Sequence, residues 1–201
     1  MMNKLIILFV LFSVFMLVGC QFNQSKPDKP SKAKLKATIL EKRIEVENPE
    51  VLDFDSVLLN NKIPFQTTVQ KLKYHFGKPD SIIVKNYDCG GYFEEGDVSI
   101  YYYGLTSFET KGDTAAIQNI DLGTGRFRLK FKNIFLDRNT SLSDLKKIFP
   151  ISISKSYMLR EASKNKDYQF VRIYPRTNYD DEWVLTFYNG KLIEIDYWID
   201  C

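Results

Sequence analysis

Histidine and cysteine are scarce in this chain. Its 201 residues include one histidine, His75, and three cysteines, Cys20, Cys89 and Cys201. A single histidine excludes a site built from several histidine ligands, and the cysteines lack the close spacing of zinc ligands. The two later cysteines leave open either one disulfide bridge between Cys89 and Cys201 or two free thiols.

Motifs that mark common enzyme classes are also absent. The sequence has no Gly-x-Ser-x-Gly nucleophile elbow and no Gly-x-x-x-x-Gly-Lys phosphate loop. Its carboxylates cluster beside predicted turns, at residues 53–55, 94–97 and 180–182, where acidic side chains are commonly solvated. We therefore expect no catalysis, no cofactor and no metal, and an unrecognised hydrolase is the enzymatic alternative.

Neither sign of charge dominates the composition. The chain has 28 lysine and arginine residues against 25 aspartate and glutamate residues, a formal net charge of +3. So balanced a chain gives no electrostatic reason to bind nucleic acid. We expect no nucleic-acid partner.

The longest apolar run is too short to cross a bilayer as a helix. It extends from Leu5 to Val18 with only Ser13 as a polar interruption, about 14 residues where a transmembrane helix needs about 20. A cation, Lys4, precedes it and a small residue, Gly19, follows it. This order is typical of a secretory signal peptide, which we place at residues 1–19.

The run ends in Leu17-Val18-Gly19-Cys20, which resembles the lipobox of bacterial lipoproteins. The resemblance implies cleavage after Gly19, thioether lipidation of Cys20 and acylation of the new N-terminus. Several acyl chains anchor a protein stably, because each buried methylene adds about 0.8 kcal/mol. We expect a lipid-anchored protein of the cell envelope. Gln21 rather than aspartate favours the outer membrane under enterobacterial sorting rules.

The segment after the cysteine is rich in lysine and proline and poor in aromatic residues. Such a composition buries too little surface to offset its chain entropy. We predict a flexible basic tether at residues 20–50. Two folded units are predicted beyond it, at residues 51–125 and 126–201.

Two later stretches resemble each other. Thr67–Gly77 is TTVQKLKYHFG and Thr140–Pro150 is TSLSDLKKIFP. In both, hydroxyl side chains that can cap a helix precede apolar residues at i, i+3 and i+7. We predict a short helix in each stretch, ended by Gly77 with Pro79 in the first and by Pro150 in the second.

Alternating apolar residues predict strands after each helix. They are Ser81–Lys85, Asp97–Tyr103 and Ala115–Leu122, then Tyr168–Tyr174, Trp183–Tyr188 and Lys191–Ile199. Asn189-Gly190 predicts a type I′ hairpin turn, and Arg126–Lys132 predicts a further strand with one cationic face. The fold class expected is α+β, with two tandem helix-then-antiparallel-hairpin units that form a sheet with short helices packed on one face.

This pattern resembles the tandem α/β modules of the β-lactamase-inhibitor-protein fold and the single-module lipoprotein of the outer-membrane assembly machine. The shared marks are hydroxyl residues at the helix starts, Leu-x-x-x-Phe-Gly-Lys-Pro at Leu72–Pro79, and a late hairpin that ends in an apolar-acidic strand. The resemblance covers roughly residues 58–200. It implies protein binding in envelope assembly, inhibition or immunity, and no functional residue carries over by motif.

We therefore predict a membrane-anchored, non-catalytic protein-binding module, with a structural or spacer lipoprotein as the alternative. Aromatic and arginine side chains are typical anchors of protein interfaces. The candidate partner-binding residues are Tyr101, Tyr103, Arg126, Arg128, Lys130, Tyr197 and Trp198. Core packing of the aromatic residues, and a solvated strand face for the cations, are the alternatives.

Overall fold

The computed structural model describes residues 50–87, 91–93, 96–176 and 180–199. The predicted signal peptide, Cys20, nearly all of the tether, and both Cys89 and Cys201 lie outside the described residues. The described residues all belong to one compact unit. Within these ranges no helix is both long and apolar enough to span a membrane.

Strands dominate the described chain. A single 3-10 turn, Phe54–Ser56, precedes the first strand. The strands and helices are β1 (Val57–Leu59), β2 (Ile63–Pro64), β3 (Gln66–Thr68), α1 (Val69–Phe76), β4 (Ser81–Tyr87), β5 (Gly96–Tyr103), β6 (Thr106–Lys111), β7 (Thr114–Asp121), β8 (Leu129–Phe131), β9 (Ile134–Leu136), α2 (Leu142–Lys146), α3 (Pro150–Ser154), β10 (Tyr157–Glu161), β11 (Lys166–Ile173), β12 (Asp181–Tyr188) and β13 (Lys191–Ile199).

The strands form two antiparallel sheets. A four-stranded sheet has the order β2-β1-β8-β9, and a nine-stranded sheet has the order β10-β11-β12-β13-β7-β6-β5-β4, with β3 paired to β7. Two strands share one edge of β7: β3 pairs with the first residues of β7, and β13 pairs with its last residues. The α+β prediction is confirmed for the antiparallel strands and short helices, but the fold is mostly β.

Both predicted helix starts are confirmed. The Thr68 hydroxyl accepts a hydrogen bond from the Lys71 N–H at 3.1 Å and caps α1. Ser141 and Asp144 form a reciprocal capping box at α2, which satisfies backbone donors at the helix start. The prediction for Pro150 is wrong. Pro150 begins α3, where its missing N–H removes no helical hydrogen bond.

The hairpin turn predicted at Asn189-Gly190 is confirmed, whereas the strand predicted at Arg126–Lys132 is only partly correct. Asn189 and Gly190 have φ values of 50° and 72°, as a type I′ turn between β12 and β13 requires. The strand predicted at Arg126–Lys132 is too long, since β8 covers only Leu129–Phe131. Lys132 leaves the strand with φ of 51° and begins the turn to β9.

One hydrophobic core joins both sheets and the helices. Its fully buried members include Leu59, Leu72, Phe108, Ile120, Leu129, Leu145, Leu185 and Ile195. Trp183 is fully buried as well, and its indole N–H donates to the Leu52 carbonyl oxygen at 2.8 Å. This bond ties the chain before β1 to the first half of β12.

Candidate binding surface

The register of β10, β11 and β12 brings five apolar or aromatic side chains onto one face of the large sheet. Tyr157 lies opposite Phe170, Leu159 opposite Tyr168, and Tyr168 opposite Tyr188. The Tyr157 and Phe170 rings stack with centroids 5.5 Å apart, and the Tyr168 and Tyr188 centroids are also 5.5 Å apart. We call these five residues the aromatic face.

The aromatic face is directed away from the core. Along β11, Val171 and Ile173 alternate with the aromatic side chains and are fully buried on the opposite side. Tyr168 and Phe170 remain partly exposed, and Leu159 on β10 is 55% exposed. The open side of an antiparallel sheet is ordinarily polar. An apolar open side is typical of an interaction site.

Cations lie at both ends of the aromatic face. The Lys166 ammonium is 4.8 Å from the Tyr188 ring centroid, and the Arg172 guanidinium carbon is 5.5 Å from the Tyr157 ring centroid. The Arg172 guanidinium also pairs with Glu182 at 3.2 Å. The Arg172 guanidinium donates a hydrogen bond to the Tyr157 hydroxyl oxygen, and this bond is the main reason why the pKa of Arg172 is raised. These contacts restrict the conformations of the rings and of the two cations.

A pair of carboxyl groups adjoins the aromatic face. Glu194 and Asp196 on β13 both accept hydrogen bonds from the Asn119 side-chain amide on β7, the latter at 2.7 Å. Burial, and then the charge of Glu194, raise the pKa of Asp196 to about 6. We call these three residues the acidic seam. Across β12, Val184 lies opposite Asp196 on one side and opposite Arg172 on the other, so the two surfaces are neighbours.

The two predicted aromatic residues near the end of β13 face opposite sides of the sheet. Trp198 is 57% exposed and lies opposite Glu182, on the same side as the aromatic face. Tyr197 points toward the core, where its hydroxyl donates to the Asp181 carboxylate at 3.1 Å. Burial raises the pKa of Tyr197 above its ordinary value. Only Trp198 of this pair therefore extends the candidate surface.

The predicted tyrosines on β5 lie near the core of the first half of the chain. Tyr103 is 1% exposed, and its hydroxyl donates to the Gly77 carbonyl oxygen at 3.3 Å. Tyr101 is half-buried and packs against the core, with the Lys73 ammonium 5.8 Å from its ring centroid. The structure does not bring these tyrosines together with the aromatic face.

The predicted cations lie on the small sheet or at its border. The Arg128 guanidinium carbon is 4.4 Å from the Phe135 ring centroid, Lys130 is opposite Phe135 in the register, and Arg126 is exposed. A pocket of about 330 Å³ lies between β9 and α2. Its lining includes Phe135 and Ile148, which are 40% and 37% exposed. This pocket is a second candidate surface.

The aromatic face was not among the sequence predictions, although β11 held a signal for it. Tyr168 and Phe170 alternate with Val171 and Ile173, so both faces of the strand are apolar.

No protein-family model, curated protein or solved structure matches this chain. Within the described residues, no group of three or more histidine, cysteine, aspartate or glutamate side chains could hold a metal ion.

Proposed function

We propose that this chain is a lipid-anchored, non-catalytic protein-binding module of the bacterial cell envelope. The anchor is supported by the sequence alone, through the short apolar run and the lipobox-like Leu17-Val18-Gly19-Cys20. Binding is supported chiefly by one observation, the aromatic face. A structural spacer would have no need of an apolar surface on the open side of its sheet.

The aromatic face suits a protein partner for three reasons. Tyrosine supplies a large contact area and a polar hydroxyl at low entropic cost, and it is enriched at interfaces. The Tyr157–Phe170 rings are stacked and the Tyr168–Tyr188 rings pack against each other in a tilted arrangement, so binding immobilises few side chains. The cations at its ends and the acidic seam beside it supply charge patterns that can select a complementary partner.

We also infer that the folded body is a tandem duplication. A capped helix and four antiparallel strands occur twice in chain order, as α1 with β4–β7 and as α2 with β10–β13, where α3 follows α2. Thr68, the cap of α1, lies opposite the first residue of β7. Ser141, the cap of α2, lies opposite the first residue of β13. This agreement supports the two helix-then-hairpin units expected from the sequence.

Site-specific crosslinking in cells tests the binding surface. A photoreactive residue in place of Tyr168 is expected to capture a distinct protein. The same residue in place of Leu105, which is 72% exposed in the turn between β5 and β6, is the matched control and should capture far less. Tyr168→Ala should weaken capture through a probe placed at Leu159. Equal capture at both positions, or none at Tyr168, contradicts this function for the aromatic face.

The anchor is tested separately by mass spectrometry of the N-terminal peptide and by cell fractionation. We expect the mature chain to begin at a Cys20 that carries lipid, and Cys20→Ala to abolish that modification. Retention of Met1, or an unmodified Cys20 in membrane-bound protein, would contradict the lipoprotein proposal. Neither outcome bears on whether the aromatic face binds a protein.

A further inference from the structure

β4 forms one edge of the large sheet and is exposed along almost its whole length. Among the described strands it pairs only with β5, through seven consecutive residue pairs without a register shift. In its first half, Ile82, Ile83 and Val84 are 51%, 47% and 68% exposed. The strand therefore presents a regular, apolar and open edge.

Such an edge is unusual, because proteins commonly protect edge strands with charges, proline or bulges. β4 contains one charged residue, Lys85, and no proline. The strand at the opposite edge, β10, ends with the charged pair Arg160 and Glu161. The unprotected edge of β4 is thus a template for an added strand.

We propose that a second copy of this chain adds to β4 in antiparallel orientation, with the two-fold axis passing through Ile83. In that register Ile83 faces Ile83 of the other copy, while Ile82 faces Val84 and Val84 faces Ile82. All three apolar residues then meet β-branched partners, the kind of cross-strand pair that stabilises sheets. The two nine-stranded sheets become one continuous sheet.

Neighbouring registers are less favourable. An axis at Val84 would place Ile83 opposite Lys85, and an axis at Ile82 would place Ile83 opposite Ser81. With the axis at Ile83, Lys85 faces Ser81. The two Lys85 residues are then about 14 Å apart by strand geometry, beyond the Debye length of about 8 Å at physiological salt. β4 is therefore complementary to itself in its apolar pattern, and this register keeps its two like charges apart.

With the axis at Ile83, five residues of β4, residues 81–85, pair with the same five residues of the other copy. A contact of this size lies at the small end of specific interfaces. We therefore expect a reversible monomer–dimer equilibrium that shifts toward dimer as protein concentration rises. This inference depends neither on the lipid anchor nor on the aromatic face.

Sedimentation velocity of the purified full chain over a concentration series tests the dimer. Ile83→Lys places two ammonium groups across the axis, and Ile83→Glu places two carboxylates there. Each variant should weaken self-association at least about tenfold, which corresponds to about 1.4 kcal/mol. An equimolar mixture of the two should recover association, since opposite charges then meet across the axis. Circular dichroism should show both variants folded, because the side chain of residue 83 is half exposed.

Met158→Lys is the matched control, because Met158 is 58% exposed on the opposite edge strand. It should leave the equilibrium unchanged. A wild-type chain that stays monomeric at all concentrations overturns the proposal. So does an Ile83→Lys variant that associates normally, or a mixture of the two charged variants that fails to associate. Loss of association in Met158→Lys alone would assign the interface to β10 instead.

Discussion

Replacement of Asp196 by asparagine should stabilise the protein at neutral pH. The wild-type carboxyl group is largely buried in the acidic seam, and burial together with the charge of Glu194 raises its pKa from 3.8 to about 6. Asparagine has a similar shape and carries no charge. Its amide could also donate to the side-chain oxygen of Asn119, which has no hydrogen-bond partner in the structure.

The magnitude follows from the pKa shift. Between pH 3.8 and 6 the folded state binds a proton at Asp196 that the unfolded chain has released, so the free energy of unfolding falls as pH rises through this window. The two pKa values of 3.8 and about 6 differ by about 2 units, and each unit is worth 1.36 kcal/mol, so the carboxylate costs about 3 kcal/mol above pH 6. Asp196→Asn should remove this cost and flatten the pH dependence.

Urea unfolding followed by tryptophan fluorescence, at several pH values from 4.5 to 7.5, measures this effect. Trp183 is fully buried and serves as the reporter. Asp113→Asn is the control, because it makes the same chemical change at an exposed residue outside the acidic seam and should not raise the free energy of unfolding at pH 7.5. The reasoning fails if Asp196→Asn is no more stable than wild type at pH 7.5, or if it keeps the wild-type slope between pH 4.5 and 6.

The same urea assay tests three further positions and one exposed control position. Ser141→Ala removes one half of the capping box at α2 and should cost about 1 kcal/mol. Gly190→Val forces a branched side chain into a backbone with φ of 72° and should cost about 1–2 kcal/mol. Phe108→Ala empties a fully buried core position and should cost about 3–5 kcal/mol, whereas Leu105→Ala, at a residue 72% exposed, should change stability by less than about 0.5 kcal/mol. Equal costs at Phe108 and Leu105 would contradict the core assignment.

Local signals made part of the fold predictable. The hydroxyl pairs Thr67-Thr68 and Thr140-Ser141 identified the helix starts, because a cap acts on backbone groups within one turn. Asn189-Gly190 identified its hairpin because few residue pairs tolerate two positive φ values. The strands that alternate regularly over six or more residues, such as β13, were also found within about two residues of their observed ends.

Other strands lacked a local signal. β6 has the sequence TSFETK, which is rich in polar residues, yet five of its six residues are buried. The Glu109 carboxylate accepts backbone N–H bonds from Tyr92 and Phe93, each at 3.0 Å, so its burial depends on a segment distant in sequence. A proline after a helical stretch is a local signal for a helix end. In the structure Pro150 instead begins α3, directly after Phe149, which is 2% exposed.

The candidate surface was still harder to predict because it depends on register. Tyr157 and Phe170 stack only because β10 pairs with β11 with these two residues opposite each other. A shift of one residue would move one of them to the core side of the sheet. The acidic seam likewise requires β7 to meet β13, strands that are far apart in the sequence. No spacing within either strand predicts this contact.

The two proposed surfaces lie far apart in the large sheet, and this separation has a consequence for binding. Six strand intervals separate β4 from β11, so pairing through β4 would leave both aromatic faces free, about 60 Å apart along the joined sheet before twist is considered. A dimer would therefore bind two partner molecules at the same time when those molecules are held close together on one surface.

This bivalence predicts that Ile83→Lys weakens binding to a densely immobilised partner much more than binding to the same partner free in solution. Linked binding events commonly gain a factor of about 10²–10⁴ in avidity without any new contact. Surface plasmon resonance at high and low partner density measures the two cases, with Tyr168→Ala expected to weaken both. Equal weakening by Ile83→Lys at both densities would mean that β4 contacts the partner directly. The proposal that β4 serves for self-association, and that the aromatic face alone binds the partner, would then be wrong.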